Sequence, residues 1–460
     1  MKNKYFDFLI LATSAISIFI VSVDMAIVSS TIPFLSKQLN ITPNQASTVL
    51  LSYYLALSSS IIFLGKLSDV IGTIRIFKYG CWFFVLGALF SGFSPNLTML
   101  IIFRFIQGIG GAILLPIHGA MISKFLPSKH SGKFFGIITF FAGAAWALGF
   151  ILGGIIGGSL TWPWIFWANV PCGILALYLI KLLNKKALKN KITNVLIKNK
   201  QLDLFAGFIN FLALLSITYL FNQFYNISFK HIIFLMILIS ILIYIFIKRI
   251  NNQSHPLVNP KIFKNYYIMV PIIVAFLLNI VYDGFNFINP FYLNSIKQLK
   301  PNQMGLILAI LPISSMVIGP VAGIYCDRLG AYISCLFASF LIVLAMLLLY
   351  FCNQTSSIFY IMSILIIFGI AISVFFTANI KLIMQHANSG DEGVISSLKA
   401  STSYFGGVIG FSSFAQIISF LPINNPTNLD NLIFSFKKSC LLGIIIALLI
   451  FIMCFFQKEN

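Results

Sequence analysis

Ten Asp and Glu residues serve a chain of 460 residues, and two of them, Asp24 and Asp283, fall well inside apolar stretches. A carboxylate at the centre of a bilayer is penalised by about 2.5–3.5 kcal/mol on insertion scales, so each is a functional candidate. Each lies about sixteen residues into its stretch, roughly 24 Å along a helix at 1.5 Å per residue, which predicts similar depth. Arg104 lies in a third apolar stretch, within about one helical turn of Asp24 in depth. The chemistry this trio suggests is proton handling. Burial disfavours a charged carboxylate and a nearby guanidinium favours it, so a movement that alters their separation loads or releases a proton. A structural ion pair or a helix-packing hydrogen bond is the alternative for Asp24, Asp283 and Arg104 alike.

The elements that must hold these residues are membrane helices. Charged residues make up 9% of the chain and hydrophobic ones 59%, whereas a soluble domain carries about 25% charged residues. Apolar runs of about 20 residues recur, each long enough to cross a hydrocarbon core about 30 Å thick. The first run, after Lys2 and Lys4, is read as an uncleaved helix rather than a secretory leader, because no small-residue cleavage site follows it. Seven cysteines without a CxxC pair and five scattered histidines give no support to a disulfide framework, a metal site or a haem. No nucleophile triad or phosphate loop appears, so an enzyme is not expected, and neither is a cofactor.

Hydropathy predicts fourteen spans, with the seventh and eighth near 202–221 and 229–248, the ninth near 266–293 and the thirteenth near 393–420. Lys and Arg concentrate in the loops on one side, which predicts that both termini are cytoplasmic in a multi-pass protein of the cell (inner) membrane. That asymmetry accounts for most of the net charge of +20, so nucleic acid is not an expected partner. The lysine-rich stretch 181–200 is read as a positive-inside anchor, with attraction to anionic lipid as the alternative.

An internal repeat organises the spans. GKLSDVIG (Gly65 to Gly72) is matched by GIYCDRLG (Gly323 to Gly330), so that Gly65, Asp69 and Gly72 recur at the same spacing as Gly323, Asp327 and Gly330. Asp24 and Asp283 are related by nearly the same offset. The predicted organisation is a six-helix bundle over 1–184, a cytoplasmic linker with two inserted helices over 185–265, and a second six-helix bundle over 266–460. Parallel halves of this kind are a transporter architecture, because a site between them can open alternately to each side. A receptor or structural subunit has no need of such a repeat.

At these residues the chain resembles the major facilitator superfamily, and its span count resembles the fourteen-helix drug:proton antiporter branch. The similarity rests on GKLSDVIGTIR through Gly65, Asp69, Gly72 and Arg75, and on RFIQGIGG through Arg104, Gln107 and Gly108. VDMAIVSSTIP contributes Asp24, Ile27, Val28 and Pro33, and WPWIFWANVPCG resembles the motif at the start of helix 6. Phe150 stands where the helix 5 signature has Pro, and Pro163 and Ser403 stand where Arg is common, which leaves the direction of transport open.

The resemblance implies an all-α integral membrane fold of two six-helix bundles plus two linker helices. It implies proton-coupled efflux of amphipathic or cationic small molecules by alternating access. A dedicated metabolite or siderophore transporter, exporting or importing, is the alternative. Proton coupling is expected at Asp24, Asp283 and Arg104. Gating is expected at Gly65, Asp69, Gly72, Arg75, Gly323, Asp327, Arg328 and Gly330, with helix packing at Gln107, Gly108, Gly149, Gly153 and Gly154. The expected partners are a small-molecule substrate, protons and the lipid bilayer, with accessory export proteins left open and a monomer expected. Lys381 and Lys399 are expected to snorkel to the interface, and His118 to pack rather than relay protons.

Overall fold

A computed structural model describes residues 4–125, 131–189, 204–223, 228–252, 260–386, 392–419 and 429–456. The regular structure among them is helical. A first group runs α1 (Lys4–Gln38), α2 (Pro43–Ile71), α3 (Thr73–Gly92), α4 (Leu97–Phe125), α5 (Ser131–Ser159), the short α6 (Trp164–Trp167) and α7 (Val170–Lys189). Then come α8 (Leu204–Gln223), α9 (Phe229–Asn252) and α10 (Pro260–Lys264). A last group begins with α11 (Tyr266–Phe291), which ends in a π turn at Tyr292–Ile296, and continues through α12 (Pro301–Leu308) and α13 (Ile310–Leu329). It closes with α14 (Ala331–Tyr350), α15 (Ile358–Gln385), α16 (Glu392–Ser419) and α17 (Leu429–Phe456).

Local chemistry sets several of these boundaries. The Thr42 hydroxyl accepts from the Gln45 amide at 3.2 Å while Gln45 Oε1 accepts from the Thr42 amide at 3.0 Å, a capping box that satisfies two otherwise orphaned donors as Pro43 starts α2. The repeat motifs end in tight turns. Asp327 lies in the last helical turn of α13 and position 69 in the last turn of α2, so each link to the next helix is one residue, Gly330 and Gly72. Gly72 has φ 98° and ψ 131°, and Gly330 has φ 88° and ψ 154°. The two copies thus share a backbone conformation that only glycine adopts readily. Nothing lies within 4 Å of the place where a Cβ would sit on either residue. Gly72→Ala and Gly330→Ala should therefore each cost about 1–3 kcal/mol from backbone strain alone, measurable as a lower thermal midpoint of the purified protein.

The first group packs within itself, α1 on α5 and α4, α2 on α4, and α3 on α4 and α7. The last group does the same, with α11 on α16, α17 and α15, α13 on α15, and α14 on α15 and α17. The groups meet along three seams, α1 with α11, α2 with α16, and α5 with α12 and α13. Helix α8 packs on α9 and also touches both α2 and α16. A small satellite cluster of Ile209, Ala213 and Leu242 joins it to α9, whose outer face stays apolar and exposed at Phe234, Ile237 and Tyr244.

Among the described residues, twelve helices are long and apolar enough to cross a membrane. The expected spans at 202–221 and 393–420 are not in that set. Helix α8 contributes a shorter apolar segment, Phe205–Ile217. Helix α16 carries Lys399 amid Ser396, Ser397, Ser401, Thr402 and Ser403, and lies between α11 and α2 rather than facing outward. A helix enclosed by its neighbours can be polar where a lipid-facing one cannot. Of the seven lysines in the stretch 181–200, Lys181, Lys185, Lys186 and Lys189 lie in the last turns of α7, and the other three lie outside the described residues.

Candidate functional site

The first predicted acid is wholly enclosed. Asp24 and Arg104 are each 0% exposed, and Arg104 Nη1 reaches both carboxylate oxygens, at 2.9 and 2.8 Å. Gln107 lies one turn beyond Arg104 on α4, on the same face. It donates to Asp24 Oδ1 at 3.0 Å and accepts from Arg104 Nη1 at 2.7 Å. Asn169, between α6 and α7, donates to the same oxygen at 2.9 Å. The guanidinium also donates through Nε to the Val49 carbonyl at 3.3 Å, and lies over the rings of Tyr53 at 4.4 Å and Phe166 at 5.5 Å. Four segments thus converge on one charge pair. A carboxylate with two neutral side-chain donors and a bound guanidinium has its charge matched in place.

Asp283 has a different environment. It is 3% exposed, and the Tyr54 hydroxyl donates to its Oδ1 at 3.2 Å. No Lys or Arg pairs with it among the described residues. Its Oδ2 lies against Gly407 of α16, where a Cβ would collide with it. Around it stand aromatic rings from both groups of helices. Tyr54 packs on Tyr404 at 5.9 Å and on Phe411 at 5.1 Å, while Tyr282 packs on Trp146 of α5 at 6.2 Å, and on Phe368 and Phe376 of α15, each at 6.3 Å. Tyr282, Trp146, Phe376 and Tyr404 are only half-buried and come from α11, α5, α15 and α16, so partly accessible rings of both groups meet beside Asp283. The Ser29 hydroxyl of α1 donates to the Asn286 carbonyl of α11 at 3.2 Å. That contact lies within two turns of both acids, so they sit at comparable depth on facing helices.

The remaining expected residues are distributed around this centre. Asp327 pairs with Lys381 at 2.5 Å at the exposed end of α13, while Arg75, Arg328 and Gly330 are exposed and Gly65 and Gly323 half-exposed. The side chains of Asp69 and His118 lie outside the described residues. Gly108 backs onto Tyr53 of α2, and Gly149 and Gly153 bring α5 onto Ala26 and Ser30 of α1. Gly154 meets Gly305 of α12 backbone to backbone, a Cβ there lying 3.0 Å from the Gly305 Cα. Phe150, the departure from the helix 5 signature, is fully buried, with its carbonyl 2.5 Å from where a Gly305 Cβ would be. Lys399 carries a contact that its position in the sequence did not announce. It is half-buried, with Nζ 5.2 Å above the Phe376 ring. Gln107 belongs to the charge cluster rather than to helix packing, and its spacing from Arg104 was the signal for that. Asn169, Tyr54, Tyr282 and Tyr404 were not singled out, since an uncharged polar residue in an apolar run carries little signal.

Residues 14–411 match the sequence pattern of the Major Facilitator Superfamily. The chain belongs to that superfamily. It is therefore a multi-pass membrane transporter of small molecules, and its relatives include several multidrug proteins at low identity. It is 28% identical to the riboflavin transporter RibZ of Clostridioides difficile (strain 630), over 91% of this chain and 90% of that one. It is 30% identical to multidrug resistance protein 3 of Bacillus subtilis (strain 168), over 60% of this chain and 53% of that one. In structure it is similar to the nucleoside transporter NupG, with a TM-score of 0.67 over 96% of this chain and 100% of that one at 11% identity. A D-xylose-proton symporter is similar to it with a TM-score of 0.65, 97% of each chain covered and 13% identity. At such identities the two structures speak for the fold alone.

Proposed function

We propose that this member of the superfamily is a proton-coupled transporter that exports amphipathic or cationic small molecules of the multidrug type by alternating access. The observation that carries the reading is Asp283, a buried carboxyl without a cationic partner among the described residues, set in an aromatic wall between the two groups of helices. As a carboxylate it would be an isolated charge in a medium that penalises one, and a proton or a substrate cation removes that charge. Asp283 is the coupling group in this reading. Asp24 and Arg104 form the fixed charge pair that holds α1, α4 and the start of α7 in register.

The same reading takes α8 and α9 as two inserted spans in a fourteen-helix chain of the drug:proton antiporter type, and α16 as a span polar because it faces the cavity. The bundles are 1–184 and 266–460, both termini lie on the cytoplasmic side, and the motifs ending at Gly72 and Gly330 gate that side. A second reading is a dedicated transporter of one aromatic metabolite. It is favoured by the riboflavin transporter, whose similarity spans nearly the whole of both chains.

The test uses everted vesicles that hold an imposed pH gradient and a pH-sensitive dye. Export by antiport predicts that adding ethidium releases protons from the vesicle lumen. Proton movement with a flavin and not with ethidium would select the second reading. No proton movement with any substrate that is transported would refute the coupling.

A further inference from the structure

Two lysines of the last group lie within helices that border the seams, and the structure treats them differently. Lys381 on α15 is bound to Asp327 and to the Cys326 carbonyl. Lys399 on α16 has no carboxylate partner and no hydrogen bond from Nζ among the described residues. Its Nζ sits over the face of Phe376. A ring face attracts an ammonium group but supplies neither a hydrogen-bond acceptor nor a compensating charge. Phe376 in turn packs on Tyr282, which packs on Trp146 of the first group. Lys399, Phe376, Tyr282 and Trp146 are all half-buried and touch in succession, so the ammonium group and the rings belong to one contiguous, partly accessible surface.

This surface therefore offers an ammonium group without a carboxylate partner among the described residues, the aromatic faces of Phe376, Tyr282 and Trp146, and, next to Tyr282 in sequence, Asp283 with Tyr54. We propose that Lys399 is the anion-binding residue of the central site and that the preferred substrates are aromatic molecules carrying an acidic group, a carboxylate or a phosphate. The proposal rests on the central-site reading above and narrows its amphipathic substrates by charge. An acidic group supplies the acceptor that Lys399 lacks, the aromatic body stacks on Phe376, Tyr282 and Trp146, and Asp283 remains available for the proton. A purely cationic aromatic molecule would be drawn to Asp283 and repelled by Lys399.

Equilibrium dialysis of the full chain in lipid nanodiscs tests this, with empty discs correcting for partition into lipid. The probes are naphthoate, naphthylmethylammonium and naphthalenemethanol, which share one ring system and differ in charge. The expected result is that wild type prefers naphthoate, that Lys399→Gln weakens naphthoate binding about tenfold to a hundredfold, and that Lys399→Arg restores most of it. Naphthalenemethanol, whose hydroxyl carries no charge, should lose far less binding than naphthoate in Lys399→Gln, its retained binding reporting that the variant is folded, and naphthylmethylammonium should bind no worse. Equal affinity of wild type and Lys399→Gln for naphthoate would overturn the assignment, as would failure of wild type to bind naphthoate at all. Because dialysis reads binding without a pH gradient, a failure of proton coupling in Asp283→Asn would leave this outcome unaffected.

Discussion

Asp24→Asn is expected to destabilise the folded protein more than Arg104→Gln does, although the two substitutions break the same ion pair. Removing one partner of a buried pair costs about 3–5 kcal/mol because it strands the other charge. The two stranded groups are not equivalent. A lone carboxylate at position 24 keeps its donors from Gln107 and Asn169 and can also be neutralised by a proton. A lone guanidinium at position 104 cannot shed its proton and keeps only neutral partners, the Gln107 amide oxygen, the Val49 carbonyl and the rings of Tyr53 and Phe166. The double variant Asp24→Asn with Arg104→Gln removes both charges and should recover most of the loss. The thermal midpoints of the four proteins, read by size-exclusion chromatography after graded heating, give the order directly. Equal midpoints for the two single variants would show that the pair does not sit in the dry setting described above.

Asp283→Asn should abolish proton-driven transport while leaving the fold nearly as stable as wild type. The amide has the shape of the carboxyl and can still accept from the Tyr54 hydroxyl, and no buried cation is stranded by the change. It cannot release a proton. Counterflow exchange of substrate across vesicles without a pH gradient should therefore persist, while accumulation against a gradient falls by about two orders of magnitude or more, toward background, as for removal of an essential acid–base group. Asp283→Glu retains the titrating group one methylene further out, toward Gly407, and should retain partial accumulation. Gradient-driven transport by Asp283→Asn at the wild-type rate would move the coupling group elsewhere.

How much of this could be read beforehand depends on how rare each residue type is in its setting. Asp24 and Arg104 were legible because a charge in an apolar run is exceptional and because helical rise converts sequence position into depth. That arithmetic brings the two to one level but does not show that they touch, and it says nothing of Asn169, an ordinary polar residue at a helix start. The repeat motifs were legible as motifs, yet their one-residue links became visible only through the backbone angles of Gly72 and Gly330. The partner of Lys399 was hidden for a rotational reason. Counting along α16 places it near one end, but the face it presents is set by packing against α11 and α2, and its Nζ lies over Phe376 of α15. The contrast between Asp24 and Asp283 was closed to sequence for the same reason, since it lies in which side chains the neighbouring helices deliver.

Helix α8 touches both α2 and α16, so it bridges the seam where those two helices meet. On the opposite flank the seam of α5 with α12 and α13 presents apolar side chains such as Leu148, Leu152, Leu306 and Val317 directly outward. A hydrophobic molecule already dissolved in the membrane thus meets two unlike flanks. One is covered by α8 of the α8–α9 pair, and the other, among the described residues, meets the lipid with its own apolar side chains over a seam drawn shut by the backbone contact between Gly154 and Gly305.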